Sequence, residues 1–252
     1  MRKAFAALVI AILLLQAMAV AVAYASPPDL EQHIFIHYAK GAKPKPPATD
    51  TGYYKLLGAK WKVLPVKLEV NPTNEYGLSE DFVKTAISLA AEEWDDGEYS
   101  LIDGDVSTTW SGVSAELVDD TISINYSIGY GDLAWSSDKL DGKNTILWGN
   151  YEQQGVIAVT IIWSNRFTKA IVEFDMVLNT DFEWGNATES GSGVMDLQNI
   201  VTHELGHGLG LGDVYVTAAS QETMYGYASY GETIKRSLYK GDMTGITKLY
   251  GP

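Results

Sequence analysis

The sequence predicts an α+β or mixed-sheet domain, and the order of its periodic segments is the main reason. A strand-like segment is followed by a helical one, several strand-like runs come next, and two further helices end the chain. The 252 residues are 46% hydrophobic and 20% charged, a balance typical of a globular chain with one or two domains and a full core.

The first regular segments are one strand and one helix. Apolar residues alternate with Lys67 and Glu69 across 66–70, which predicts a half-buried strand that stops before Pro72. Ser79 then opens a helix whose first turn carries two acidic residues, the charge that the helix dipole favours there. Its apolar face consists of Val83, Ala86, Ile87, Ala90 and Trp94.

Further strand-like runs lie in the middle of the chain, and two helices follow them. The runs cover 121–126, 145–148, 156–163 and 170–178. Asp196 is the predicted cap of the second helix, which ends where glycines crowd the chain between 206 and 212. Its apolar face is Leu197, Ile200, Val201 and Leu205. The last helix is predicted at 242–250, with Met243, Ile246, Leu249 and Tyr250 toward a core.

Charge and cysteine content exclude several classes of function. The chain has 18 Lys and Arg against 32 Asp and Glu, a formal net charge of -14, and no basic run, so we expect no nucleic-acid partner. Because it has no cysteine, disulfide frameworks, thiolate nucleophiles and Cys-ligated zinc are also excluded. Any metal site must therefore use its four histidines and its carboxylates.

The N-terminus has the layout of a secretory signal peptide over residues 1–25. Arg2 and Lys3 precede an apolar run over 4–22, and small residues follow, with cleavage expected after Ala25 or, as a second candidate, after Ala23. We therefore expect a secreted, extracellular protein. The alternative is an uncleaved membrane anchor, because the run approaches the roughly 20 residues that span a bilayer.

Residues 26–60 are rich in proline and are predicted to be a linker or a short prosegment. This region contains His33 and His37, separated by Ile34-Phe35-Ile36. The alternation fits a short strand better than a helix. A metal site on this histidine pair is one interpretation, and an ordinary, partly buried segment is the other.

The stretch from 203 to 213 carries the chemistry. His203 and His207 are four residues apart on the second helix, so their imidazoles project from one face and can bind one metal ion. Glu204 is close enough to act on a water at that ion. Gly210 can take a positive φ that turns the chain, so that Asp213 approaches as a third ligand. The alternative is a glycine-rich helix end with histidines that serve packing alone.

This pattern resembles the signature of the metzincin zinc peptidases, with Asp213 where most members have a third histidine. Thr223-Met224-Tyr225 is similar to the Met-turn of the matrixin branch, although Gly226 replaces the usual proline. The last helix, the strand and helix over 61–94, and Ile157-Ala158-Val159-Thr160 also look like matrixin elements. The resemblance implies a zincin-like catalytic domain over 61–252, with a twisted mixed sheet, an antiparallel edge strand and about three helices.

The resemblance also implies roles for individual residues. His203, His207 and Asp213 would hold a catalytic Zn²⁺, Glu204 would be the general base, and Met224 would form a hydrophobic floor beneath the metal. A peptide substrate would bind extended beside the edge strand. The residues that would contact it are Ala158 and Val159 on the strand, and Tyr225 and Tyr227 at a side-chain pocket.

Structural calcium is a further possibility, because hard cations prefer carboxylate oxygens. The candidate ligands are Asp175, Asp181 and Glu183, or the pair Asp119 and Asp120, and acidic residues on solvated loops are the alternative.

The sequence thus predicts a secreted, monomeric zinc endopeptidase that acts on proteins or peptides. The alternative is a secreted cell-surface or carbohydrate-binding module with a structural metal site, which 15 tyrosines and seven tryptophans would also suit.

Overall fold

A seven-stranded mixed sheet organises the chain in the computed structural model, which describes residues 29–42, 52–95 and 112–252. Its strands are β1 (Leu30–Ala39), β3 (Leu68–Val70), β4 (Ser123–Ile124), β5 (Asn144–Gly149), β6 (Val156–Asn165), β7 (Ile171–Asn179) and β11 (Tyr227–Ala228). Two short pairs lie outside it: β2 (Lys55–Leu56) with β10 (Leu211–Gly212), and β8 (Trp184–Gly185) with β9 (Met195–Asp196). The predicted signal peptide, residues 1–25, lies outside the described residues.

The helices of the described part are α1 (Glu80–Asp95), the short α2 (Ala187–Ser190), α3 (Leu197–Gly208) and α4 (Lys240–Tyr250). Within these residues, none of the helices combines the length and the apolar character that a membrane span requires. The three long helices are those that the sequence predicts. The predicted α+β class with a mixed sheet is therefore confirmed.

The strand order is β11-β1-β6-β7-β5-β3-β4. Strands β4, β3, β5 and β7 are parallel to one another, whereas β6 is antiparallel to β7. On its other side β6 pairs antiparallel with β1 along nearly its whole length, from Leu30 opposite Asn165 to Tyr38 opposite Val156. Strand β1 in turn pairs in parallel with the two residues of β11.

The strand over 157–160, which resembles a matrixin edge strand, therefore has a neighbour on both sides. It is part of β6, and the outer side of β6 is covered by β1. Strand β1 comes from the region that the sequence assigns to a linker or prosegment, and its alternating residues do form the predicted strand around His33 and His37. Periodicity identifies such a strand, but it does not specify which strand will be its partner.

The core has two parts, one on each face of the sheet. The larger part packs α1, α3 and α4 against one face, and all five residues on the predicted apolar face of α1 are buried in it. The four predicted apolar residues of α3 are buried there too. The smaller part, on the other face, gathers alternate residues of β6 such as Val159, Ile161 and Trp163. These contacts fix α3, the helix with the paired histidines, against the sheet.

Both ends of α3 follow from local chemistry. Asp196 caps it as predicted, because its Oδ1 accepts the Asn199 backbone N–H at 2.9 Å. The helix ends at Gly208, and Gly210 takes a φ of +105°. A Cβ at Gly210 would lie 2.4 Å from the carbonyl oxygen of Ala59, so a side chain there meets both backbone strain and a clash.

Helix α4 starts at Lys240, two residues before the predicted start at 242. The reason is that Asp242 acts inside the first turn, where its Oδ2 accepts the Tyr239 backbone N–H at 2.9 Å.

The turn at Gly210 gives the first prediction. We expect Gly210→Ala to lower the free energy of unfolding by about 3 kcal/mol or more, because strain at positive φ adds to the clash with Ala59. Gly77→Ala is the matched control: Gly77 has a φ of +72° with nothing within 4 Å of an added Cβ, so it should cost only about 1 kcal/mol. Urea unfolding measures both, and equal losses would contradict the clash.

Candidate metal centre

Three side chains bring ligand atoms together at the end of α3. His203 and His207 lie one helical turn apart, and their Nε2 atoms are 3.1 Å from each other. Asp213, which follows the turn at Gly210, places its Oδ1 3.3 Å from each of these nitrogens. Donor atoms on a tetrahedral zinc ion are about 3.3 Å apart when each is about 2.0–2.1 Å from the metal. The three atoms therefore have the spacing that zinc requires.

Backbone carbonyls fix the tautomer of both histidines. His203 Nδ1 donates to the Thr223 carbonyl oxygen at 2.7 Å, and His207 Nδ1 donates to that of Leu211 at 3.0 Å. Since a carbonyl can only accept, each proton is on Nδ1, and the lone pair of each neutral ring is on Nε2. Both lone pairs then face the carboxylate of Asp213, an arrangement that a cation stabilises.

The carboxylate of Asp213 is held in its ionised form. Burial raises its pKa, but the attraction to His207 and the contacts with both histidines outweigh burial and bring the pKa well below its ordinary value. Its Oδ1 has no hydrogen-bond partner of good geometry among the described residues, although it is buried. An unpaired buried oxygen is costly unless something binds it, so the donor set fits a metal ion.

Glu204 lies beside this cluster, fully buried on the same helix. Its Oε2 accepts the Thr160 hydroxyl at 2.5 Å, and its Oε1 accepts Nδ1–H of His37 at 3.2 Å. Burial raises the pKa of Glu204, yet the hydrogen bond from His37 and the three nearby histidines give a net pKa below the ordinary value. The side chain is therefore an ionised carboxylate close to the metal cluster.

A comparison with family models finds that the matrixin model matches residues 60–251. The chain belongs to the matrixin family. It is accordingly a zinc metalloendopeptidase, and a catalytic zinc and protein or peptide substrates follow from that membership. A comparison with curated protein sequences finds no match.

In this matrixin, the predicted Met-turn residue Met224 is buried, and its sulfur lies against the backbone of Gly206 in α3. The turn also supports the metal cluster directly, because Thr223 supplies the carbonyl that orients His203. Asp242 of α4 holds the turn in place: its two oxygens accept the backbone N–H groups of Thr223 at 2.6 Å and Met224 at 3.0 Å.

A second buried carboxyl group lies next to Asp242. Glu222 Oε2 accepts the backbone N–H groups of Gly241 at 2.8 Å and Asp242 at 3.2 Å. Burial, reinforced by the neighbouring Asp242, raises the pKa of Glu222 to about 8. Burial raises the pKa of Asp242 as well. The two acids thus tie the start of α4 to the Met-turn.

The residues predicted to contact substrate lie around the end of β1. Ala158 and Val159 in β6 pair with His37 and Ile36, and Tyr227 in β11 pairs with Tyr38. Tyr225 lies beside Tyr227, with ring centroids 5.8 Å apart.

Gly226, which replaces the usual proline, allows a close approach by Tyr215. A Cβ there would be 2.3 Å from the ring of Tyr215. The hydroxyl of Tyr215 donates to Asp213 Oδ2 at 3.2 Å. Glycine at position 226 thus leaves room for an additional hydrogen-bond donor to Asp213.

The histidine pair in β1 does not act as one site. His33 Nε2 is 3.1 Å from the Ser164 hydroxyl, in an ordinary partly buried setting. His37 is fully buried at the metal cluster, and each of His37, His203 and Glu204 has a ligand atom within 4.8 Å of the others. Burial and the nearby His203 lower the pKa of His37 to about 3.

The two calcium candidates differ in geometry. Asp119 and Asp120 group with Glu116 on the surface, with ligand atoms within 4.8 Å of one another. In the described ranges, Asp175, Asp181 and Glu183 form no such group. The oxygens of Asp175 instead accept the backbone N–H groups of Ala134 at 2.7 Å and Thr145 at 2.9 Å.

Sequence reasoning missed three residues at this centre, Thr160, Glu222 and Asp242, and it considered His37 only together with His33 and not beside His203. Thr160 is a polar residue in an otherwise apolar strand, which is a weak signal of a buried partner. His37, Glu222 and Asp242 are brought to the centre by other segments of the chain, so local spacing did not indicate their contacts there.

The support from Asp242 gives the second prediction. We expect Asp242→Asn to weaken zinc binding about 10- to 100-fold, because the amide group cannot accept all the N–H groups that position Thr223 and hence His203. A zinc competition titration with a chromogenic chelator measures the effect. Asp81→Asn removes the same charge from the exposed first turn of α1 and should leave zinc affinity unchanged. Equal affinities in both variants would contradict the role of Asp242.

The raised pKa of Glu222 gives the third prediction. Between about pH 4.5 and about 8 the folded protein retains a proton that the unfolded chain releases, so the free energy of unfolding falls as pH rises. We expect the free energy of unfolding of the Glu222→Gln variant to fall less steeply with pH than that of the wild type. The difference between the two slopes should stay below about 1.4 kcal/mol per pH unit, the limit for one proton. Chemical unfolding of the zinc-loaded protein at several pH values measures it. Glu152 is exposed, so Glu152→Gln should leave the slope unchanged. The same change of slope in both variants would contradict the assignment of the effect to Glu222.

Proposed function

We propose that the catalytic zinc of this matrixin is held by His203, His207 and Asp213, and that Glu204 is the general base. The observation that carries this proposal is the spacing of the three ligand atoms, 3.1 Å and 3.3 Å, with both Nδ1 atoms bonded to carbonyl oxygens. Asp213 then takes the role that a third histidine has in most metzincins.

The proposed chemistry is hydrolysis of a peptide bond. A zinc ion in this site supplies a Lewis acid that polarises the peptide carbonyl and lowers the pKa of water. Glu204 accepts the proton of the attacking water and delivers it to the departing amine. Thr160 holds Oε2 of Glu204, which supports Oε1 as the oxygen that carries the proton. Oε1 is the oxygen that faces His37 in this structure.

We infer that a peptide substrate pairs in extended form with the outer side of β6, at Ala158 and Val159. Backbone hydrogen bonds would supply affinity there, and the tyrosines at 225 and 227 would contact a side chain. Tyr227 supports this position, because it lies in β11, which is separated from β6 by the width of one strand, β1.

Export and calcium stay predictions from the sequence. The arrangement of Arg2, Lys3 and the apolar run over 4–22 supports a secreted protein, with residues 26–60 as a linker or prosegment before the peptidase domain. For calcium, we keep the surface group of Glu116, Asp119 and Asp120 as the candidate, because its ligand atoms lie within 4.8 Å of one another. A monomer also stays a prediction.

The fourth prediction tests the assignment of roles. We expect Glu204→Gln to keep stoichiometric zinc and to lose peptidase activity by about 100- to 10,000-fold, because it removes only the proton acceptor. Asp213→Ala should lose both zinc and activity. Metal analysis and chelator-sensitive hydrolysis of casein measure this. Glu152→Gln, an exposed acid distant in sequence, should change neither quantity.

A Glu204→Gln variant that hydrolyses peptides as fast as the wild type would contradict the proposal. A wild-type protein that binds zinc but hydrolyses no substrate would favour the alternative, a binding module with a structural metal.

A further inference from the structure

The two carboxylate oxygens of Asp213 have different surroundings. Oδ1 lies 3.3 Å from Nε2 of both His203 and His207. Oδ2 instead accepts a hydrogen bond from the hydroxyl of Tyr215, at 3.2 Å. One oxygen therefore faces the two histidines, and the other faces a hydrogen-bond donor.

Backbone pairing with the Met-turn brings Tyr215 to this position. Val214, the residue before it, forms a parallel bridge with Tyr225. In this bridge the Val214 N–H donates to the Met224 carbonyl oxygen at 2.9 Å. The Gly226 N–H donates to the Val214 carbonyl oxygen at 3.0 Å. The chain that carries Tyr215 is thus held beside Gly226.

Two neighbours then fix the ring of Tyr215. A Cβ at Gly226 would lie 2.3 Å from the ring and 2.9 Å from its hydroxyl oxygen. The φ of Gly226 is outside the left-handed region, so glycine is required there for space and not for its backbone conformation. Tyr227 packs edge-on against Tyr215, with ring centroids 5.3 Å apart. These contacts direct the hydroxyl of Tyr215 to Asp213.

An aspartate ligand raises a question of coordination that a histidine ligand does not. A carboxylate can bind a metal ion through one oxygen or through both. If Asp213 uses one oxygen, it supplies three donor atoms together with His203 and His207, and a tetrahedral zinc ion keeps a fourth position open for water. If it uses both, the same residues supply four donor atoms and fill a tetrahedral ion.

From this geometry we propose that Tyr215 is a positioning residue that limits Asp213 to one zinc-binding oxygen. Its hydroxyl engages Oδ2 and turns Oδ1 to the ion, so the fourth position stays open, and Gly226 provides the space for its ring. This inference rests on the proposed function, because it takes Asp213 as a ligand of the catalytic zinc.

The test compares Tyr215→Phe with the wild type in the full chain, after exchange of zinc for Co²⁺. Cobalt reports the number of ligand atoms, because its visible absorption is intense with four of them and several-fold weaker with five. We expect Tyr215→Phe to lower this absorption several-fold, because Oδ2 joins Oδ1 on the ion while water stays. In the zinc protein, kcat should fall about 10- to 100-fold. KM should stay unchanged, because the hydroxyl faces Asp213 and not the proposed substrate position.

Two further variants control for other effects. Tyr151→Phe removes the same hydroxyl from a partly buried tyrosine that stacks on Trp135 in the smaller part of the core, so it should change neither the cobalt spectrum nor kcat. Gly226→Ala should displace the ring of Tyr215 without removing its hydroxyl, and it should change the spectrum in the same direction as Tyr215→Phe. If the Tyr215 hydroxyl only stabilised the fold, Tyr215→Phe would lower the free energy of unfolding of the metal-free protein and leave the cobalt spectrum unchanged.

The outcomes separate this inference from the proposed function. A wild-type cobalt spectrum in both Tyr215→Phe and Gly226→Ala would overturn the inference and leave the proposed function intact. An equal loss of absorption in Tyr151→Phe would overturn it too. If Asp213→Ala still binds cobalt with the wild-type spectrum, Asp213 is not a ligand, and the proposed function fails.

Discussion

The candidate metal centre depends on two hydrogen bonds from imidazole Nδ1 to backbone carbonyl oxygens. His203 is bonded to Thr223 and His207 to Leu211, and each bond directs an Nε2 lone pair to the same point. Without them either ring could rotate or change tautomer, and the helical spacing of the two residues alone would not define a site. The rest of the fold can be understood as the means by which these two carbonyls are held next to α3.

The Leu211 carbonyl is positioned by the turn that ends α3. Gly210 takes a backbone conformation that other residues rarely adopt, and the chain then pairs β10 with β2. The Thr223 carbonyl is positioned from the other side, by Asp242 at the start of α4. One support is thus conformational and local, whereas the other is a buried ionisable network that spans two segments. The buried network costs more free energy than the local turn, because carboxyl groups must be removed from water to form it.

Much of this arrangement could be predicted from the sequence. The helices, the cap at Asp196, the turn at Gly210 and the spacing from His203 to Asp213 all follow from local patterns, and the structure contains each of them. The position of β1 could not be predicted in this way. Alternation between His33 and His37 identifies a strand, but strand pairing is decided by long-range packing. The pattern allows either a metal site on the pair or an ordinary, partly buried segment; His33 has the second setting, whereas His37 lies at the metal cluster.

The place of β1 also follows from the demands of the site. A cleft that bound extended peptides along β6, as proposed, would present unpaired backbone groups there, and such an edge attracts any strand of suitable sequence, including one from the same chain. Backbone pairing contributes little discrimination between an internal strand and a substrate. The discrimination must come from side chains, and in β1 the ones that reach the centre are Phe35 and His37. In the proposed substrate position, a peptide would take the place of a strand whose histidine is bonded to Glu204. The histidine of β1 is therefore bonded to the same carboxylate that is the proposed general base.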